Sequence, residues 1–180
     1  MRDKGTLKNN TAVVTVMSNL GFHQFMKGNN IDTVCTKVGD RYVLEEMLAN
    51  GYNIGGEQSG HIIFLDHATT GDGQLTAVQV LELLSTCKAS LSQLVQDIAD
   101  YPQLLENVTI TEDKKGKWDK TPAITDVIAE AVKTLGDDGR VLVRESGTEP
   151  LVRVMIEGKN ADDVKYWTDK IADAVRAELC

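Results

Sequence analysis

The sequence predicts an α/β domain, a mixed sheet with helices, followed by a small α+β domain, a sheet covered by helices. Three observations predict it. In the first half, short β-branched apolar runs alternate with apolar stripes at helical spacing, the pattern of helices packed on a sheet. In the second half, strands flank a polar loop and two helical stripes stand on either side of them. Between the halves, Cys87 to Gln103 reads as a connector with one short helix. The expected division is 1–100, an α/β domain that includes the connector and is incomplete at its N-terminal side, and 101–180, the α+β domain.

Thr11 to Met17 (TAVVTVM) is β-branched and apolar, so it reads as a buried strand. Ser18 and Asn19 offer cap oxygens for a short helix through about Lys27. Ile31 to Thr36 is a second strand. Asp40 is placed to cap a helix carrying Val43, Leu44, Met47 and Leu48, stopped by Asn50-Gly51. His61 to Leu65 is another strand. Asp72 starts an apolar helix with Leu75, Val78, Leu81 and Leu84 on one face. In the connector, Ser90 caps a short helix striped by Leu91, Leu94, Val95 and Ile98, with Pro102 beyond it. Val108 to Thr111 opens the second domain as a strand, followed by a lysine-rich loop over 114–120. Thr121-Pro122 then pairs an N-cap with proline at the first helical position. Ile124, Val127, Ile128, Ala131 and Leu135 form the stripe of that helix, which ends at Gly136. Arg140 to Val143 and Leu151 to Glu157 are strands. Asn160 to about Glu178 is a terminal helix with Val164, Trp167, Ile171 and Val175 inward.

The chain has 180 residues, a formal net charge of −8 and a pI near 4.9. Nucleic-acid binding calls for a basic stripe, which this acidic chain lacks. Acidity does not disfavour a small anion, because a local cluster of donors outweighs the global field. Cys35, Cys87 and Cys180 are odd in number, widely spaced and without a CxxC pair, which excludes a disulfide framework or zinc site and fits reduced thiols in a cytoplasm. No apolar run approaches the ~20 residues that cross a bilayer.

Four polar segments carry candidate chemistry. Arg144-Glu145-Ser146-Gly147-Thr148-Glu149-Pro150 lies between two strands. Arg144 supplies a charged fork that matches phosphate, Ser146 and Thr148 add hydroxyl donors, and Gly147 lets backbone N–H groups converge on one anion. Arg153 follows on the next strand, facing either the loop or solvent. The alternative is an ordinary polar hairpin turn. Gly55-Gly56-Glu57-Gln58-Ser59-Gly60 is a glycine-rich loop in which Glu57 and Ser59 can hold sugar hydroxyls; a tight turn with a solvated glutamate is the alternative. Lys37, Asp40 and Arg41, in Lys37-Val38-Gly39-Asp40-Arg41, sit where a strand ends and a helix begins, a common ligand position in α/β folds. Asp66 to Gly73 contains Gly-Asp-Gly but lacks the alternating acids of a calcium loop and reads as a loop and helix cap. No P-loop, HExxH or nucleophile elbow occurs.

In order and spacing, KVGDRYV, GGEQSGHIIF, TGDGQLTAVQVL and RESGTEPLVRVMIEG together resemble the third and fourth domains of the α-D-phosphohexomutase superfamily. VMSNLGF, the aspartate of VGDRYV and the GEQSG form make the chain most similar to the phosphoglucosamine mutase branch, over nearly its whole length from about Gly5. The resemblance implies an isomerase that interconverts glucosamine 6-phosphate and glucosamine 1-phosphate for cell-wall precursors. It implies a phosphoserine donor in a first domain and a magnesium ion held by aspartates in a second. It also implies that Glu57 and Ser59 hold the sugar, that Arg144, Ser146, Gly147 and Thr148, with Arg153, hold the phosphate that is not transferred, and that Lys37, Asp40 and Arg41 approach the reacting centre. No TASHNP-like serine loop and no DxDxDR-like metal loop occurs in these residues. The catalytic residues and metal ligands are therefore expected outside this chain, which by itself is expected to bind a phosphorylated amino sugar and not to turn it over. A stand-alone phosphosugar-binding module, an interaction domain, and a phosphoglucomutase or phosphomannomutase of the same superfamily are the competing readings; oligomeric state is left open.

Overall fold

The computed structural model describes residues 1–180. The chain forms two compact units, Met1–Asp100 and Tyr101–Cys180. No helix is long and apolar enough to cross a membrane.

The first unit contains β1 (Thr11–Thr15), α1 (Leu20–Gly28), β2 (Asp32–Thr36), α2 (Asp40–Asn50), β3 (Ile54–Gly56), β4 (Ile62–Phe64), α3 (Gly73–Cys87) and α4 (Leu91–Val95), with short 3-10 turns at Arg2–Lys4 and Lys8–Asn10. The strand order is β2-β1-β3-β4, with β1 parallel to β2 and β3, and β4 antiparallel to β3. The path leaves β1 for β2 on one side and returns to β3 on the other. Right-handed crossovers then put α1 and α2 on opposite faces of the sheet. The packing agrees. Val13 is buried with Val43 and Met47 of α2 and Ile63 of β4. Ala12, Val14, Ile54 and Ile62 line the other face together with Phe22, Phe25 and Met26 of α1, around a cavity of about 650 Å³. All five residues of β1 are buried, as a central parallel strand requires.

The second unit contains β5 (Gln103–Thr109), α5 (Pro122–Leu135), β6 (Gly139–Glu145), β7 (Leu151–Gly158) and α6 (Ala161–Leu179). Its sheet is antiparallel, in the order β5-β7-β6. Val152, Val154 and Ile156 of β7 alternate inward and join Ile124 and Ala131 of α5 and Val164, Trp167, Ile171, Val175 and Leu179 of α6 in one core. Full burial of each such aliphatic side chain stabilises by about 1.5–3 kcal/mol.

The α/β unit followed by an α+β unit is the architecture expected. Asn19, Asp72, Ser90 and Asn160 cap their helices through their side chains, and Pro122 occupies the first turn of α5. Several expectations need correction. Asp40 is the first residue of α2 and not its cap: its Oδ1 accepts from the N–H of Arg41 at 2.8 Å, and Gly39 is the N-cap. Ile54–Gly56 is a strand and not part of a loop. β5 begins at Gln103, earlier than Val108, and β6 runs into the polar motif as far as Glu145. The apolar stripe of α3 is not core: Val78 is 59% and Leu81 63% exposed. Leu91 and Val95 of α4 are exposed as well.

Candidate functional site

In the first unit, the C-terminal ends of the three parallel strands lie on one edge. The strand order reverses at β1, so the segments that leave its neighbours diverge and open a crevice, the usual ligand position in open α/β sheets. A cleft of about 350 Å³ is found there, lined by Thr15, Met17, Val38, Glu57, Gln58 and Ser59. The loop after β3 is a tight hairpin: the Glu57 N–H donates to the His61 carbonyl at 2.9 Å and the Gly60 N–H to the Glu57 carbonyl at 3.0 Å. Gly60 supplies the left-handed backbone (φ 96°) that closes it.

Glu57 is not the solvated residue of a plain turn, since its side chain is only 10% exposed. Oε1 accepts from the Gly39 N–H at 2.8 Å, which ties the glycine-rich loop to the segment Lys37–Arg41. Gly39 adopts φ 130°, and a Cβ there would stand 3.3 Å from the Tyr42 ring. Glycine is thus required at the point where α2 begins and where its cap N–H turns toward Glu57. The Ser59 hydroxyl is 2.9 Å from His61 Nδ1 and 3.5 Å from Glu57 Oε2. Oε2, Ser59 and His61 form a small polar cluster of acceptors and donors suited to hydroxyl or amino groups. His61, to which the sequence attached no role, enters this cluster because the hairpin folds it back on Ser59. Lys37 and Asp40 are exposed. Arg41 turns away to Glu45 on its own helix at 2.7 Å, and this hydrogen bond and ion pair raise its pKa. Of the three, none shares a hydrogen bond with Glu57 through its side chain; the contact runs through the Gly39 backbone.

In the second unit, the register of β6 and β7 pairs Arg144 directly with Arg153. The open question of where Arg153 points is thereby answered: it shares the sheet face of Arg144, opposite the core residues Val152 and Val154. Two like charges directly opposite on a ladder are unfavourable unless an anion lies between them. The Arg153 Nε–H is buried and has no hydrogen-bond partner, and its terminal nitrogen is 3.9 Å from Glu149 Oε2. Ser146 is buried; its N–H donates to the Leu151 carbonyl at 2.9 Å, and its hydroxyl oxygen accepts from the Glu149 N–H at 3.4 Å. That leaves the hydroxyl proton to be donated elsewhere. Gly147 and Thr148 are exposed at the tip. Gly147 has an ordinary negative φ, and nothing would meet a Cβ there, so the expected conformational need for glycine is not found. Glu145 does what sequence reasoning missed. Both its carboxylate oxygens accept from the Gly116 N–H at 3.0 Å, which docks the lysine-rich loop beside the motif.

Both units are matched by domains of known proteins. The family model "Phosphoglucomutase/phosphomannomutase, alpha/beta/alpha domain III" matches residues 1–101, and that of the C-terminal domain matches residues 105–174. The chain belongs to this phosphohexomutase family. The phosphoglucosamine mutase of Streptococcus thermophilus is 50% identical over 179 residues, 99% of this chain and 40% of that protein. That of Streptococcus agalactiae is 49% identical over the same share. The chain therefore spans about 40% of the length of the curated relatives it matches. Among solved structures, the N-acetylphosphoglucosamine mutase of Aspergillus fumigatus superposes with a TM-score of 0.73 at 19% identity, covering 93% of this chain and 38% of that one. An N-acetylglucosamine-phosphate mutase in its substrate complex gives a TM-score of 0.68 at 23% identity, covering 97% and 40%. At these identities the structural likeness speaks for the phosphohexomutase fold.

Proposed function

We propose that this chain is the substrate-holding part of a phosphoglucosamine mutase, with the sugar held at Glu57 and Ser59 and the non-transferring phosphate at Arg144, Ser146, Gly147, Thr148 and Arg153. The observation that carries the phosphate assignment is the Arg144–Arg153 pair, two arginines opposed across one ladder with a buried Arg153 donor unmet. A phosphate group satisfies both features at once: it neutralises the facing charges and supplies oxygens to the guanidinium forks. The Ser146 hydroxyl and the exposed backbone at 147–148 complete the cradle. The assignment to an amino sugar is supported by the 50% identity to enzymes named phosphoglucosamine mutases. An acceptor such as Glu57 Oε2 suits an amino group as well as a hydroxyl.

In this reading the chain's residues bind and orient. Fixing the distal phosphate uses binding energy remote from the reacting atoms to place the sugar for attack. Lys37 follows β2 and Asp40 opens α2, on either side of the Gly39 backbone that contacts Glu57, and both are assigned an auxiliary role near the reacting end. Magnesium would supply charge neutralisation of the moving phosphoryl group. Its ligands, with the phosphoserine, are assigned in this reading to the part of the relatives that this chain does not span.

Thermal denaturation with ligand tests the proposal. Glucosamine 6-phosphate at 100 times its dissociation constant should stabilise the chain by about 2.7 kcal/mol, and the rise should vanish in Arg153→Ala. Millimolar glucosamine 6-phosphate without effect, or an equal effect in Arg153→Ala, would overturn it. A larger rise with mannose 6-phosphate or glucose 6-phosphate would reassign the sugar within the family. Turnover by the 180-residue chain alone in a coupled assay would contradict the division of labour.

A further inference from the structure

Outside the site, three side chains of the first unit meet at the edge of the sheet. Thr33 and Cys35 are two residues apart on β2 and so project to the same face. β2 is the outermost strand, and Cys35 is exposed and not in a disulfide. His23 of α1 lies over that face. Its Nδ1 is 3.0 Å from Thr33 Oγ1, and its Nε2 is 3.8 Å from Cys35 Sγ, within hydrogen-bond reach for sulfur. A thiol beside an imidazole whose second nitrogen is held by a further group is the arrangement that activates sulfur as a nucleophile. Phe22 meets the His23 ring edge-on at 5.9 Å between centroids, which limits its rotation. Nothing in the phosphosugar site uses these residues.

We propose that Cys35 is a site of reversible thiol–disulfide exchange with low-molecular-weight disulfides, with His23 as its base and Thr33 as the group that orients the imidazole. His23 Nε2 takes the Sγ proton while Nδ1–H donates to Thr33 Oγ1. The Cys35 thiolate attacks one sulfur of R–S–S–R, forming Cys35–S–S–R and breaking the R–S–S–R bond. The departing thiolate takes the proton from the imidazolium and leaves as R–SH. The Cys35 sulfur is oxidised as the disulfide's departing sulfur is reduced, and a second R–SH reverses the step. The adduct stands two residues from Lys37, at the strand end that leads into the Lys37–Arg41 segment.

The chain's other cysteines are internal references. Cys87 and Cys180 are also exposed, but their sulfurs contact only the carbonyls of Leu84 and Thr109. The test is to react the chain with oxidised glutathione at pH 7 and follow each cysteine by peptide mapping. Cys35 should form the mixed disulfide about tenfold faster than Cys87 or Cys180. His23→Gln should bring it to within about threefold of Cys87, and Thr33→Val should give an intermediate rate. Equal rates at the three cysteines of the unaltered chain would overturn the proposal, as would a His23→Gln rate equal to the original. Should His23→Gln lose its far-UV circular dichroism, the three-way comparison in the unaltered chain decides alone.

Discussion

In the hairpin after β3, Glu57 comes to the site with its bonds already made. Between β6 and β7, Arg153 comes to the site with a donor unmet. Glu57 spends Oε1 on the Gly39 N–H and sets Oε2 beside Ser59, so the loop is braced whether or not a sugar is present. Arg153 faces another arginine, and its buried Nε has no partner. An unsatisfied buried donor costs about 1–3 kcal/mol, recovered only when an acceptor arrives. The difference teaches where affinity and selectivity should reside. The arginine pair should set how tightly a phosphosugar binds, and the Glu57 hairpin should set which sugar it is.

The sharpest way to break this contrast is Arg153→Ala. It should weaken glucosamine 6-phosphate by about 100-fold, equal to ~2.7 kcal/mol, measured by calorimetric titration. Because the cross-strand repulsion goes with it, the ligand-free stability should stay level or rise by about 0.5 kcal/mol in urea melts. A fall in ligand-free stability would mean that Arg153 is a structural residue. Gly39→Ala comes next. Forcing a Cβ onto φ 130° should cost about 1–3 kcal/mol in thermal unfolding and loosen the Glu57 brace. Glu57→Gln should lower sugar-phosphate affinity by about tenfold, near 1.4 kcal/mol, yet leave inorganic phosphate binding unchanged; a loss of both would erase the proposed division between the loops.

The smallest effect concerns the scaffold beneath Glu57. Asp66 accepts from Lys8 Nζ at 2.6 Å and from Asn53 Nδ2 at 2.5 Å. These hydrogen bonds, the Lys8 bond foremost, lower its pKa. A depressed carboxylate adds stability that is present above its unfolded pKa, about 3.9, and is lost as pH falls through the lower folded value. Asp66→Asn should therefore melt slightly lower at pH 7, and the gap should close on acidification below about pH 4. A gap that is constant with pH would assign the effect to packing.

Local signals were legible in the sequence. Asn19, Asp72 and Ser90 cap their helices as read, because a cap depends on residues two or three positions away; Asn160, read as the first residue of its helix, is instead that helix's cap. Asp40 misled for the same local reason, since its carboxylate bonds its own neighbour and the cap passes to Gly39. Ile54–Gly56 was hidden because two of its three residues are glycines, and its strand form comes from pairing with β1 and β4. The stripe on α3 was real as a pattern, but periodicity reports apolar spacing and not burial. The three polar segments of the proposed sites stood out in the sequence by composition and order. The link from Glu57 to Gly39 could not, because it spans 18 positions and is made by the return of the chain through α2. The pairing of Arg144 with Arg153 likewise depends on the hairpin register, which strand parity alone leaves open.

The central claim is that phosphate is held by the β6–β7 loop and sugar by the Glu57 hairpin. Amide and arginine Nε chemical-shift mapping on the isotope-labelled chain tests both halves together. Inorganic phosphate should move Ser146, Gly147, Thr148 and the Arg153 Nε–H and leave Glu57 to His61 in place, whereas glucosamine 6-phosphate should move both sets. Shifts from either ligand that spare Ser146 to Thr148 and Arg153 would contradict the account.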